Sequence, residues 1–174
     1  SLNIIVANPK LHDTTRLAAL AFLIDEIPNV NDIKPYNDLI GKIAKKNISN
    51  KALSPAMHKK YITYLAGYYN NIAIILEENR NDQALHFLDK SINLYQLAGV
   101  NDDVYSGIVS KGMLLSRRKN NREAINCYFK ALEYFEKNEK ENYENLYYVY
   151  SNLGIIYGEQ DKKEASIAYI KKAI

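Results

Sequence analysis

The side chains here that could carry acid–base, nucleophilic or metal chemistry are three histidines, one cysteine and a few groups of carboxylates. Such chemistry needs convergence, and the spacing does not supply it. His12, His58 and His86 stand apart, with no HExxH and no second ligand one helical turn away. Cys127 lies between Asn126 and Tyr128 in a helical pattern, where a buried structural thiol is expected rather than a nucleophile. A single cysteine also excludes an intrachain disulfide or a multi-cysteine metal site. Glu77-Glu78 and the carboxylates of Glu139 to Glu144 fall on solvent-facing turns, not on converging faces. The seven glycines are scattered and build no phosphate-cradling loop. Arg117-Arg118-Lys119 closes a helix, where the macrodipole favours cations, and the remaining lysine pairs form no continuous basic stripe. The expectation is therefore no catalytic residue, no cofactor, no metal and no enzyme activity in this region. An all-α enzyme would require a deep pocket bringing His58 or His86 beside a carboxylate.

Composition places the chain among ordinary folded proteins. It has 174 residues, 47% apolar and 25% charged, with a net charge of +3. That is enough to bury a substantial core, and the charge is too mild to call for nucleic acid or an anionic membrane. No apolar run approaches the roughly 20 residues of a membrane span, and Leu2 to Ala7 lacks the basic flank of a signal peptide. The first residue is Ser1 and the last, Ile174, falls inside a helical pattern, so the chain reads as a piece of a longer protein.

The elements that would position any site are helices. Four prolines, at 9, 28, 35 and 55, all lie in the first third. Asp13-Thr14-Thr15 is an N-cap cluster before RLAALAFLIDEI, a helix ended by Pro28. PYNDLIGKIAKKN follows with Pro35 near its first turn, and Ser54-Pro55 starts a long helix to about Glu78. Beyond it, helices alternate with NRND, Gly99-NDD, KNN and DKK.

Those helices repeat. YNNIAIIL (69–76) returns as YSNLGIIY (150–157). The small residue of each first helix, Ala73, Gly112 and Gly154, recurs after 39 and then 42 positions. Ala84, Ala124 and Ala165 in the second helices recur after 40 and 41. A period in this range marks a stack of helix pairs. The small side chains let two helices approach. Leu76, Leu115 and Tyr157 from one helix, with Leu88 and Tyr128 from the other, fill the interface. Tyr128, Tyr157 and Tyr169 are expected to pack with their hydroxyls at the edge. Of Tyr143, Tyr147, Tyr148 and Tyr150, at least one must be exposed, Tyr148 before the others, because successive helical residues point about 100° apart.

SNLGIIY…EASIAY…A and GMLL…REAINCYFKAL resemble tetratricopeptide repeats, in a long variety similar to that of kinesin light chains and bacterial peptide-sensing and signal-transducing proteins. The likeness covers roughly residues 66–174. HDTTRLAALAFL is similar to segments that open the input regions of bacterial sensor kinases and transcription regulators. The implied fold is an all-α, right-handed solenoid: a degenerate opening pair or cap at 1–53, then pairs at 54–99, 100–140 and 141–174 in one continuous array. The implied function is a protein- or peptide-binding scaffold, the input region of a larger bacterial signalling protein, with the periplasm favoured over the cytoplasm. The alternative is a self-associating assembly scaffold, and a homodimer is among the partners considered. No nucleic-acid contact or membrane insertion by this region is expected.

By the same resemblance the first helices line a concave face. That face would present Asn70, Asn71, Ile74 and Glu78 from one pair, and Ser106, Val109, Ser110, Met113 and Arg117 from the next. The last pair would add Tyr148, Ser151, Asn152, Ile155 and Glu159. Asn71 and Asn152, with Ser110 between them, stand two residues before the small one, about 200° away from the packing contact. An amide there can bond the backbone of an extended peptide, or a neighbouring helix. On the peptide reading, removing both amides weakens binding and leaves the melting temperature nearly unchanged.

Overall fold

The computed structural model describes residues 2–78 and 83–174, and among these every regular element is helical. The chain divides into two compact units, Ser1–Val100 and Asn101–Ile174. The NRND turn at 79–82 lies outside the described residues.

In the first unit, α1 (Leu2–Ala7), α2 (Asp13–Asp25), α3 (Lys34–Ile48), α4 (Pro55–Glu78) and α5 (Ala84–Ala98) pack each on the next through α4, and α4 pairs with α5. Pro35 sits in the first turn of α3, and Ser54 caps α4, its hydroxyl accepting from Met57 N–H at 3.3 Å. The cap of α2 departs from expectation: His12 Nδ1 accepts from Thr14 N–H at 3.3 Å, and Asp13 is a first-turn residue. Asp13 instead ties elements together, bonded by Asn47 Nδ2 at 2.9 Å and by Arg16 at 3.1 Å, while Arg16 Nε reaches Val6 O at 3.1 Å. The Asn47 bond above all, with help from Arg16, holds the Asp13 carboxyl below its usual value. Leu17, Leu20, Ile24, Ile33, Ile40, Ile43 and Tyr61 form the core of this unit. The opening pair thus shares its core with α4 through Tyr61.

The second unit comprises α6 (Asn101–Arg117), α7 (Asn121–Phe135), α8 (Tyr143–Glu159) and α9 (Lys163–Ala173). α6 pairs with α7 and α8 with α9, and α8 also packs on both α6 and α7. The expected separator Asn101-Asp102-Asp103 is the first turn of α6, where acidic side chains suit the helix dipole. Two small-residue contacts are close. A Cβ on Gly112 would come within 2.7 Å of the Tyr128 ring, and one on Gly154 within 2.6 Å of Ile170.

These contacts correct the repeat frame. α6 and α8 begin 42 residues apart, and so do α7 and α9. Ile170, not Tyr169, takes the place of Tyr128 against the glycine, and Ser166, whose hydroxyl donates to Gly154 O at 2.8 Å, holds the place of Ala124. Ala165 and Tyr169 are one position out of that register. Tyr169 packs on α8 beside that contact, half-buried and stacked on Tyr157 at 5.5 Å.

Three helix ends share one geometry. Gly99 (φ 65), Lys119 (φ 61) and Asp161 (φ 58) are left-handed C′ residues. Each next N–H reaches back five residues: Val100 to Tyr95 O, Asn120 to Leu115 O and Lys162 to Tyr157 O, at 3.0, 2.9 and 2.9 Å. Only glycine takes this conformation without a Cβ penalty. Gly99→Ala should therefore lower stability by about 1 kcal/mol and Asp161→Gly should raise it by about as much. Urea denaturation of both variants checks this, and equal midpoints would refute it.

Candidate functional site

Tyr148, Ser151, Asn152, Ile155 and Glu159 follow one another on one face of α8, and Ser106, Ser110, Met113 and Arg117 do so on α6. The structure brings these two faces together within the second unit. α6 packs on α8, and Ser106 Oγ lies 3.3 Å from Oδ1 of Asn145, which stands three residues before Tyr148. Tyr148 and Ile155 are 50% and 56% exposed, while Met113, Ser151 and Asn152 are half-buried. The joined face is therefore a strip of exposed apolar groups flanked by small hydroxyls, with Arg117 exposed at one end.

Glu159 closes that end and is already engaged. Its carboxylate accepts from Lys119 Nζ at 3.0 Å and from Asn121 Nδ2 at 3.5 Å, tying α8 to the turn between α6 and α7. The Lys119 bond first, then the Lys119 charge and Asn121, hold the carboxyl below its usual value. Lys119 can make this contact because the left-handed turn carries it back past the end of α6. Val109 is only 4% exposed and belongs to the core, not to the face. The reason is angular: Val109 stands one residue before Ser110 and three before the close-packed Gly112, so it shares the glycine's buried side.

The asparagines resolve differently from each other. Asn71 Nδ2 donates to Oδ1 of Asn37 at 3.0 Å, and Asn37 Nδ2 donates to Tyr68 O at 3.1 Å. Asn37 is buried on α3 at 1% exposure, so Asn71 serves a bridge between α3 and α4. Asn152 Nδ2 donates to Tyr148 O of its own helix at 2.7 Å. In the first unit Asn70 is half-buried, and Ile74 and Glu78 are exposed. Asn37 carried no repeat signal and was invisible to sequence reasoning. An Asn among the aliphatic core positions of α3 is the trace it leaves.

The tyrosines of α8 expose more than the sequence required. Tyr143, Tyr147 and Tyr148 are all exposed, and Tyr150 is buried. They line a cavity of about 620 Å³ at the start of α8, together with Glu139, Glu144 and Lys172. Tyr128 is fully buried and its hydroxyl meets no partner among the described residues, so it does not reach the edge as expected. Burial pushes that hydroxyl's pKa far up. Cys127 is half-buried rather than buried.

Three cavities, of about 620, 500 and 370 Å³, have neither His58 nor His86 in their walls. Among the described residues no three His, Cys, Asp or Glu side chains gather as a metal site, and no helix is long and apolar enough to cross a membrane.

Residues 147–174 match the tetratricopeptide repeat family. Among curated proteins none matches the sequence. Among solved structures, BtubC (BKLC) from P. vanneervenii superposes with a TM-score of 0.67 at 18% identity over 92% of this chain. This chain spans 60% of the length of that structure. MamA gives a TM-score of 0.49 at 15% identity, over 92% of this chain and 86% of its own. BtubC shares the fold of helix pairs with this chain.

Proposed function

We propose that this is a non-enzymatic protein-interaction scaffold, on the match of residues 147–174 to the tetratricopeptide repeat family and on the helix pairs α4–α5, α6–α7 and α8–α9. Its second unit holds an extended peptide along the joined faces of α6 and α8. The observation that carries this reading is the exposure of Ile155 and Tyr148 beside half-buried Met113, a row of apolar anchors with hydroxyl and amide groups between them. Asn71 takes no part, since its amide is committed to Asn37. On the same reading the chain is the input region of a larger bacterial signalling protein that faces the periplasm, and an output module responds to the engaged peptide. The long repeat period, similar to that of bacterial peptide-sensing proteins, supports this assignment.

Panning a random peptide display library on the purified chain tests the interaction. Enriched peptides should bind the Ile155→Glu and Met113→Glu variants at least about tenfold more weakly, because each change places an unpaired carboxylate in the apolar row. No enrichment, or enriched peptides indifferent to both variants, would count against the site.

A further inference from the structure

The cavity at the start of α8 has a chemistry that the peptide face does not explain. We propose that it receives a cationic side chain, lysine or arginine, from the protein that the scaffold binds, an inference that rests on the interaction reading above.

Tyr143, Tyr147 and Tyr148 present exposed rings around it, with Tyr147 and Tyr148 set edge to face at 5.5 Å. Aromatic faces attract cations through the ring quadrupole. Two carboxylates stand among the rings: Glu139, and Glu144, whose Oε1 accepts from the Tyr143 hydroxyl at 3.1 Å. Lys172 is the cationic residue of the wall, and it is already placed, 3.9 Å from Glu136 and 5.2 Å from the centre of the Tyr150 ring. Glu139 and Glu144 therefore leave the cavity locally negative on a chain whose net charge is +3.

That Lys172 contact is an internal example of the same recognition. Its ammonium lies over Tyr150 while Glu136, which also accepts from the Tyr150 hydroxyl at 2.6 Å, supplies the counter-charge. Lysine over tyrosine recurs in the first unit, with Lys45 4.5 Å from the Tyr68 ring centre. The exposed tyrosines with Glu139 and Glu144 offer the same pairing of rings and carboxylates. Tyr148 belongs to both the cavity and the peptide face, so a basic residue of a bound segment would enter as the flanking residues lie along α8.

Calorimetric titration with hexa-arginine, hexa-lysine, hexa-glutamate and a neutral Gly-Ser hexamer at low salt tests this. The two cationic peptides should bind and the other two should not, against the sign of the chain's net charge. Two double variants separate the contributions: Glu139→Gln with Glu144→Gln, and Tyr147→Leu with Tyr148→Leu. Each should weaken hexa-arginine binding about tenfold with the circular dichroism unchanged. The tyrosine pair is decisive, since it alters no charge: affinity unchanged in that variant overturns the inference, as does the absence of cationic binding. Display peptides free of lysine and arginine, yet sensitive to Ile155→Glu, would also overturn it while the interaction reading stands. A display that enriches nothing overturns the interaction reading, and the inference that rests on it falls even if hexa-arginine binds.

Discussion

Gly112→Val should cost the second unit roughly 3 kcal/mol, the largest loss expected from a single glycine in the chain. Two effects oppose each other. Valine fits a helix better than glycine by several tenths of a kcal/mol, but its Cβ would stand 2.7 Å from Tyr128 Cε1 and 3.0 Å from two more ring atoms. Whether such a clash is cheap depends on whether the neighbour can move. Tyr128 is fully buried, in the same helix as the buried Ala124, Ala131, Leu132 and Phe135, and has no free space to turn into. Overpacking therefore wins over propensity. Gly41 and Gly154 look equally tight, at 2.5 and 2.6 Å, yet the side chains they meet, Tyr68 and Ile170, are only partly buried and have room to shift. Valine there should cost less than half as much. Urea denaturation of the three variants gives the ranking. Tyr128→Leu in the Gly112→Val background should recover part of the loss, because a smaller side chain makes room. A Gly112→Val protein within 0.5 kcal/mol of the parent would show that the close approach does not matter.

Asn71→Ala should lower stability by about 1–3 kcal/mol, contrary to the expectation that this amide can be removed with little effect on melting. The cost arises at Asn37. With Asn71 truncated, Asn37 Oδ1 loses its donor while remaining buried at 1% exposure, and an unsatisfied buried acceptor carries most of its desolvation penalty. Asn152→Ala should change stability by less than about 0.5 kcal/mol, since its bond is to an exposed carbonyl of its own helix. A double-mutant cycle of Asn37→Ala and Asn71→Ala isolates the bridge: the two losses should fall well short of adding. Additive losses would mean that the two amides act independently. The two asparagines of the echoing octapeptides therefore do different work, although the sequence writes them identically.

The sequence by itself determined what local chemistry controls. Ser54-Pro55, Pro35 and Gly99 start or stop helices through their own backbone constraints, and the structure keeps all three in those roles. The small residues near every fortieth position require close pairs, because each pair solves the same packing problem, and Gly112 and Gly154 show it.

Only the tertiary structure decided what depends on a distant partner. Asn71 was assigned its place by Asn37, 34 residues earlier, and no pattern within α4 announces that bond. Glu159, at the end of the peptide face, was engaged by Lys119, 40 residues away, through a left-handed turn that carries no glycine to mark it. The same kind of turn at Asp161 set the register of α9 and put Ile170 where Tyr169 was expected. Which tyrosines of α8 stay exposed was likewise set by the helices packed beside it. Periodicity fixes which side of a helix is apolar. The identity of a polar group's partner is a matter of position in space, and it is there that this chain's candidate face took its final membership.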